Sequence, residues 1–337
     1  MKTLRLGTRK SALAQAQAKW VAEHLRASFP ELDVAIVGIT TTGDNFTSPG
    51  QPPSPLGRPG LPQSPRAPQS RIDAGGTSAA QREAKNKGGL KALFTKEIEE
   101  ALLEKRIDLA VHSLKDMAAD LPKGLVIGAV PEREDPRDAW ISKNKCTFGK
   151  LAKGSKVGTG AVRRQAQLHH ARPDLEIVPI RGNVDSRLRK LAENELDGII
   201  LALAGLKRLG RAKEVTEIMP PDILLPAVGQ GCLAIEVRQA DREVSPYIKA
   251  LDHAGSHQAA LAERAYLKAL GGSCQTPIAG HAIMEGAHLV MSGMVLSQDG
   301  RQMIKASENG RAFDAEGIGT RLAEKLLAAG ADKILSL

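Results

Sequence analysis

The stretch IDLAVHSLKD at 107–116 constrains the fold more than any other part of the sequence. After Asp108, residues Leu109, Ala110 and Val111 follow one another without polar alternation, so both faces of the strand must be covered, as in a sheet flanked by helices. The run stops at His112, Ser113, Lys115 and Asp116. Ligands of open α/β sheets gather at strand carboxyl ends, so Lys115 and Asp116 read as the edge of a site. The same pair also fits a solvated turn.

The surrounding pattern alternates strands and helices. A strand at 4–6, a helix opening near Ser11 and a strand at 33–39 predict a parallel β-α-β start. An amphipathic helix over 90–106 leads into the strand at 107, and another apolar strand follows at 125–130. The charged, proline-bounded segment after it reads as a crossover. A second set begins with strands at 156–159, 176–180 and 198–204, with helices at 161–170 and 184–193 and a third entered by GLKRLGR. Residues 224–237 form a loop and then a strand returning to the first sheet. Such a double crossing predicts two lobes around a cleft, the geometry of hinge-closing binding proteins. A helix at 256–270, strands at 287–296 and 302–306, and a helix at 315–329 complete a small α+β unit. The expected fold is therefore α/β in three domains: 1–131 with 231–248, 137–226, and 250–337.

Residues 45–87 break the pattern. They contain eight prolines, Pro49 through Pro68, and almost no large apolar residue after Phe46, a composition that reads as a disordered insertion within the first domain.

Composition removes several function classes. The three cysteines, Cys146, Cys232 and Cys274, are too widely spaced for a CxxC metal or redox motif and odd in number for a disulfide framework, so no metal centre is expected and a reducing compartment fits. The sequence opens without a long apolar segment and holds no apolar stretch of membrane-spanning length, which points to a cytoplasmic protein with no membrane partner. The formal charge of +9 invites a nucleic-acid reading, but aromatics are only 3% of residues and leave few platforms for base stacking.

The charges matter by position. Arg163 and Arg164 open one helix, Arg181 ends a strand, Arg187 lies within the next helix and Arg208 follows a third strand. Guanidiniums at equivalent strand-end and helix-start positions suit several carboxylates or phosphates, although each alone also fits a solvated surface. Arg9 and Ser11 sit at a strand-to-helix turn, where free N–H groups favour an anion and where Ser11 also fits a simple N-cap. Cys274 lies in a glycine-flanked loop, where a thiol is either exposed toward the cleft or an inert filler.

Seven blocks give these residues a common context: HSLKD at 112–116, EREDPRD at 132–138, RRQAQL at 163–168, RGNVDSRL at 181–188, LALAGLKRLG at 201–210, LPAVGQG at 225–231 and LGGSCQTPIAG at 270–280. In order and spacing they resemble the porphobilinogen deaminase (hydroxymethylbilane synthase) family. The resemblance implies two lobes similar to periplasmic binding proteins, and a third domain carrying a dipyrromethane cofactor in thioether linkage to Cys274. It implies a monomeric transferase whose substrate is porphobilinogen, four molecules of which are condensed head to tail with loss of ammonia. Asp116 matches the family's catalytic carboxylate. Lys115, Arg163, Arg164, Arg187 and Ser11 match cofactor-binding positions, and Arg9, Arg181 and Arg208 match substrate-binding ones. The chain departs from the family pattern at Ala92, Ala118, Gly160 and Ala161.

Overall fold

A computed structural model describes residues 2–45, 92–193, 195–272 and 276–335. The proline-rich segment from residue 46 to 87 and Cys274 lie outside the described residues.

The first sheet has the strand order β2-β1-β3-β10-β4. Strand β1 (Lys2–Arg9) leads through helix α1 (Ala12–Ser28) to β2 (Leu32–Ile39), which pairs with it in parallel. A short helix α2 (Thr42–Asn45) follows, and α3 (Ala92–Leu103) leads into β3 (Leu109–Ser113), also parallel to β1. Leu109 and Val111 pack with Leu6, Val21 and Leu25 on the α1 side. Ala110 packs with Ile98, Leu102 and Ile107 on the α3 side. Successive strand residues point to opposite faces, so two helix-covered faces require the continuous apolar run seen at 109–111. Strand β4 (Leu125–Ala129) lies at the edge.

The chain then crosses to a second sheet, of order β7-β6-β8-β5-β9. Its strands are β5 (Asp138–Ser142), β6 (Lys156–Gly158), β7 (Glu176–Val178), β8 (Gly198–Ala202) and β9 (Glu217–Ile218). Helix α4 (Val162–Ala171) joins β6 to β7, α5 (Val184–Glu193) joins β7 to β8, and α6 (Leu203–Arg208) follows β8. The chain returns as β10 (Leu233–Arg238), inserted antiparallel between β3 and β4. Each large sheet thus has three parallel strands followed by an antiparallel one, which the crossing chain supplies. Sequence patterning anticipated the parallel strands. It took β5, which follows the charged crossover directly, as part of that crossover.

Helices α7 (Ser245–Lys249) and α8 (Ala254–Ala269) lead to an antiparallel sheet of β11 (Ile278–Glu285), β12 (His288–Leu296) and β13 (Met303–Arg311). Helices α9 (Ala315–Ala328) and α10 (Ala331–Leu335) close the chain. Sequence reading expected two strands here. The third, β11, begins inside the glycine-rich loop motif. Tyr266 of α8 is fully buried against β11 and β12, where a Cβ at Gly280 or Gly293 would come within 2.9 Å of its ring. Glycine at both positions lets the ring lie on the sheet.

Both crossings are tied together by buried charge. Asp138, at the start of β5, is fully buried and accepts from Arg163 Nη2 at 2.9 Å, Arg164 Nη2 at 2.7 Å and Gln230 Nε2 at 2.7 Å. Burial alone would push this carboxyl up; the two guanidiniums outweigh it and hold Asp138 well below the usual carboxylate range. Arg163 also donates to the Leu225 carbonyl at 2.6 Å, on the return crossing. Nearby, Glu263 of α8 accepts from Arg133 Nη1 at 2.6 Å, from Gly229 N at 2.6 Å and from Ala282 N at 2.8 Å. One carboxylate therefore joins the small antiparallel sheet to both interlobe segments.

Replacing Asp138 with Asn should cost about 3–5 kcal/mol of unfolding free energy, because it strands two buried guanidiniums. Replacing exposed Lys268, paired with Asp120 at 2.6 Å, should cost under about 1 kcal/mol. Urea unfolding of the two variants measures the contrast, and equal losses would contradict it.

Candidate active site at the Lys115–Asp116 turn

Strand β3 ends in one turn of 3-10 helix, Leu114–Asp116, whose first residue is buried and whose last is exposed. Leu114 anchors the turn in an apolar cluster with Met117, Val130 and Cys232. The backbone of Leu114 donates to the Cys232 carbonyl at 3.1 Å, so the returning chain fixes the turn. Gly229 passes it closely, with φ +73 and space for no Cβ: one would lie 2.9 Å from Lys115 N. Glycine there meets both a left-handed backbone and a backbone contact.

Lys115 is partly buried, and its ammonium has no acceptor within hydrogen-bond distance among the described residues. Burial lowers its pKa to about 8; Asp116 opposes that shift, and Arg164 adds to it. Arg187 sits in the same field. Burial, with Arg164 second, brings it down to about 10, against the pull of Asp116. It uses Nε on the Gly182 carbonyl at 2.8 Å. Arg164 donates to Asp138 and, at 3.2 Å, to the Ile200 carbonyl, while its buried Nε has no partner among the described residues. Four cations, Lys115, Arg163, Arg164 and Arg187, thus share one neighbourhood with two carboxylates, Asp116 and Asp138. The arrangement is short of anions.

The structure distributes the remaining expected residues as follows. Arg9 and Ser11 line a cavity of about 60 Å³ together with Asp116. The Arg9 guanidinium lies over the Phe94 ring, 4.4 Å from its centroid. Ser11 caps α1, accepting from Ala14 N at 3.4 Å. Arg208 donates to the Gly231 carbonyl at 2.7 Å, beside the return crossing. Arg181 is exposed, and among the described residues no hydrogen bond or ion pair joins its side chain to the group. A larger surface cavity, about 470 Å³, lies elsewhere, at His169, His170, Asp299 and Arg301, and contains none of these residues.

Sequence reading missed Asp138, Gln230 and the pairing of Gln17 with Ser113, where Gln17 Nε2 donates to Ser113 Oγ at 2.9 Å. Asp138 was in view within EREDPRD, and the apolar Ala139, Trp140 and Ile141 after it were the available sign of a buried strand. Among the described residues, no helix is long and apolar enough to cross a membrane.

Comparison with known proteins accounts for this combination. A family model described as porphobilinogen deaminase, dipyromethane cofactor binding domain, matches residues 4–57 and 70–246. A second, porphobilinogen deaminase, C-terminal domain, matches 257–328. The porphobilinogen deaminase of Syntrophotalea carbinolica is 44% identical over 333 residues, covering 99% of this chain and 95% of that one. That of Geobacter sulfurreducens is 45% identical over 333 residues, covering 99% and 94%. That of Moorella thermoacetica is 44% identical over 332 residues, covering 98% and 95%. Among solved structures, the methionine-binding protein MetQ aligns with a TM-score of 0.41 and 13% identity, covering 74% of this chain and 89% of that one. On the two family matches and identities near 44% over almost its full length, the chain belongs to the porphobilinogen deaminase family.

Proposed function

We propose that the chain is a hydroxymethylbilane synthase, which condenses four porphobilinogen molecules head to tail, with loss of ammonia, into a linear tetrapyrrole. The observation that carries this reading is the anion-deficient group at Lys115, Arg164 and Arg187 beside the exposed carboxylate Asp116. Each pyrrole of the substrate brings two carboxylates, so a growing chain is a polyanion that such a group can hold. Supporting division into lobes are the two sheets of like plan, which suggest domains at 1–131 with 231–248, 137–226 and 250–337. The same reading makes the protein a cytoplasmic monomer acting on a small molecule and not on nucleic acid.

The chain's residues fit a dipyrromethane cofactor. The buried, unpartnered Arg164 Nε and the Lys115 ammonium, with Arg163, Arg187 and Ser11, would hold its carboxylates. When bound through Cys274, the group supplies the pyrrole to which the first substrate is joined. Arg9 and Arg208 would hold carboxylates of substrate and product, and Arg181, being exposed, would engage only a longer chain. On this reading Asp116 would stabilise the cation left when ammonia departs and accept hydrogen bonds from pyrrole N–H groups. Gly229 and the Leu114 anchor keep that carboxylate from drifting, which matters because misplacement by about 1 Å can cost a hundred-fold in rate.

Intact mass after denaturation tests the assignment. The wild-type chain should carry a covalent dipyrrolic adduct, Cys274→Ala should match the bare polypeptide, and only the former should form bilane from porphobilinogen. A wild-type mass equal to the bare sequence after incubation with substrate would instead favour a non-catalytic carboxylate-binding relative.

The Lys115 pKa gives a second prediction. A folded value near 8 against 10.5 unfolded means that the unfolded chain binds more protons between those pH values, so stability rises with pH there. The penalty is fully present below pH 8. In an adduct-free Cys274→Ala background, Lys115→Met should therefore be more stable at pH 7, by about 2–3 kcal/mol at most, and the difference should fade toward pH 10. A difference independent of pH would rule out the buried-charge explanation.

A further inference from the structure

Behind the Lys115–Asp116 turn lies a buried group of titratable side chains that the reaction as described leaves idle. His112, two residues before Leu114 on β3, is 6% exposed, and its Nε2 lies 2.9 Å from Oε2 of the fully buried Glu236 on β10. The other oxygen of Glu236 has no partner among the described residues. Glu99 of α3 is 9% exposed; burial, chiefly, pushes its carboxyl pKa up, with the Glu236 and Glu100 charges adding and Thr95 and His112 opposing. From α8, Arg264 also acts on Glu236, but its guanidinium donates to the carbonyls of Ala118 at 3.0 Å and Ala119 at 2.7 Å. The charged groups around the imidazole are thus Glu99, Glu100, Glu236, Arg264 and, across the cavity, Asp116 and Arg9.

That cavity is the link. His112 and Asp116 line the same space of about 60 Å³, whose wall is mixed: Arg9, Gln17 and Ser113 are among its polar groups, and Phe94 and Val111 among its apolar ones. It has room for about two waters. The chemistry makes such a link useful. Starting from the aminomethyl group in its ammonium form, each condensation forms one C–C bond between pyrroles, breaks one C–N bond, releases neutral ammonia and frees one ring proton; proton and ammonia combine as ammonium only once both have reached solvent. If Asp116 kept the proton it would lose the charge that must stabilise the next cation.

We propose that His112, held by Glu236 and backed by Glu99, takes up the proton freed in each condensation by way of Asp116 and the water-sized cavity, returning Asp116 to its anionic form, and gives that proton up to solvent before the next condensation. The inference rests on the hydroxymethylbilane synthase reading. His112 touches no substrate here; it is a positioning residue that acts through Asp116. The bland alternative is a structural tie between β3 and β10, strands already joined by a ladder running from Leu233–Ser113 to Val237–Leu109.

The test is the kcat–pH profile of the full-length, adduct-bearing enzyme, compared with His112→Asn and Glu236→Gln. His112 must be unprotonated to accept, so wild type should show an acid limb in kcat. His112→Asn should lose that limb and fall about ten-fold in kcat with KM nearly unchanged. Glu236→Gln, which replaces the carboxylate lying 2.9 Å from the imidazole, should move the limb toward lower pH. Folded variants whose profiles keep the wild-type shape overturn the proposal while bilane formation by wild type leaves the activity standing. Should His112→Asn fail to fold, the limb of isosteric Glu236→Gln decides alone, an unmoved limb counting against the relay. A wild-type enzyme that makes no bilane removes both.

Discussion

A single buried carboxylate organises the centre of this molecule. Asp138 begins the strand by which the chain enters its second sheet, and it binds two arginines of helix α4 and the amide of Gln230 on the return crossing. Taking a carboxylate out of water costs several kcal/mol, and only forked, well-placed donors recover it. Those donors therefore have fixed positions. The guanidinium of Arg164 is anchored on one edge while its Nε is left unpartnered, so structural rigidity and an unsatisfied cationic site arise from one interaction. Glu263 plays the matching part for the small sheet, through Arg133 and two backbone amides.

On this frame the site is assembled by convergence of distant segments. The Lys115–Asp116 turn comes from the first sheet, the arginines from the second, and the glycine that lets the turn seat, Gly229, from the chain's way back. Three parallel strands and an inserted antiparallel one recur in both large sheets, which places helix starts and strand ends at equivalent positions. Charge that looks scattered along the sequence is thereby gathered. The gathered charge remains unbalanced, and this imbalance is the physical link between the fold and a substrate made of polycarboxylate units.

Much of this was legible in the sequence, for identifiable reasons. A strand buried on both faces must be continuously apolar, so β3 announced itself, and the abrupt change at His112 marked its carboxyl end. The double crossing was legible because residues 224–237 read as a loop and then a strand, with no helix of their own. Asp138 was not legible as a keystone: a buried carboxylate looks like any other in a run such as EREDPRD until its partners, 25 to 92 residues away, are known. The arginines were expected to face ligand alone, yet Arg163 and Arg164 are also committed to Asp138, a division of duties that spacing cannot reveal. The short β5 and β11 were hidden by the charged and glycine-rich motifs they adjoin. His112 was read only as part of a motif, because its partner Glu236 lies 124 residues further along, in a strand inserted antiparallel beside it.

The central claim is that the cations gathered by Asp138 are completed by a covalently held polycarboxylate. Urea unfolding of adduct-bearing wild type against adduct-free protein, at low ionic strength and pH 7, tests it most directly. The adduct-bearing form should be more stable by at least about 2 kcal/mol, since its carboxylates neutralise charges that otherwise repel in a partly buried setting, and the gain should shrink as salt is added. Equal stability of the two forms, or a gain that salt does not alter, would contradict the account.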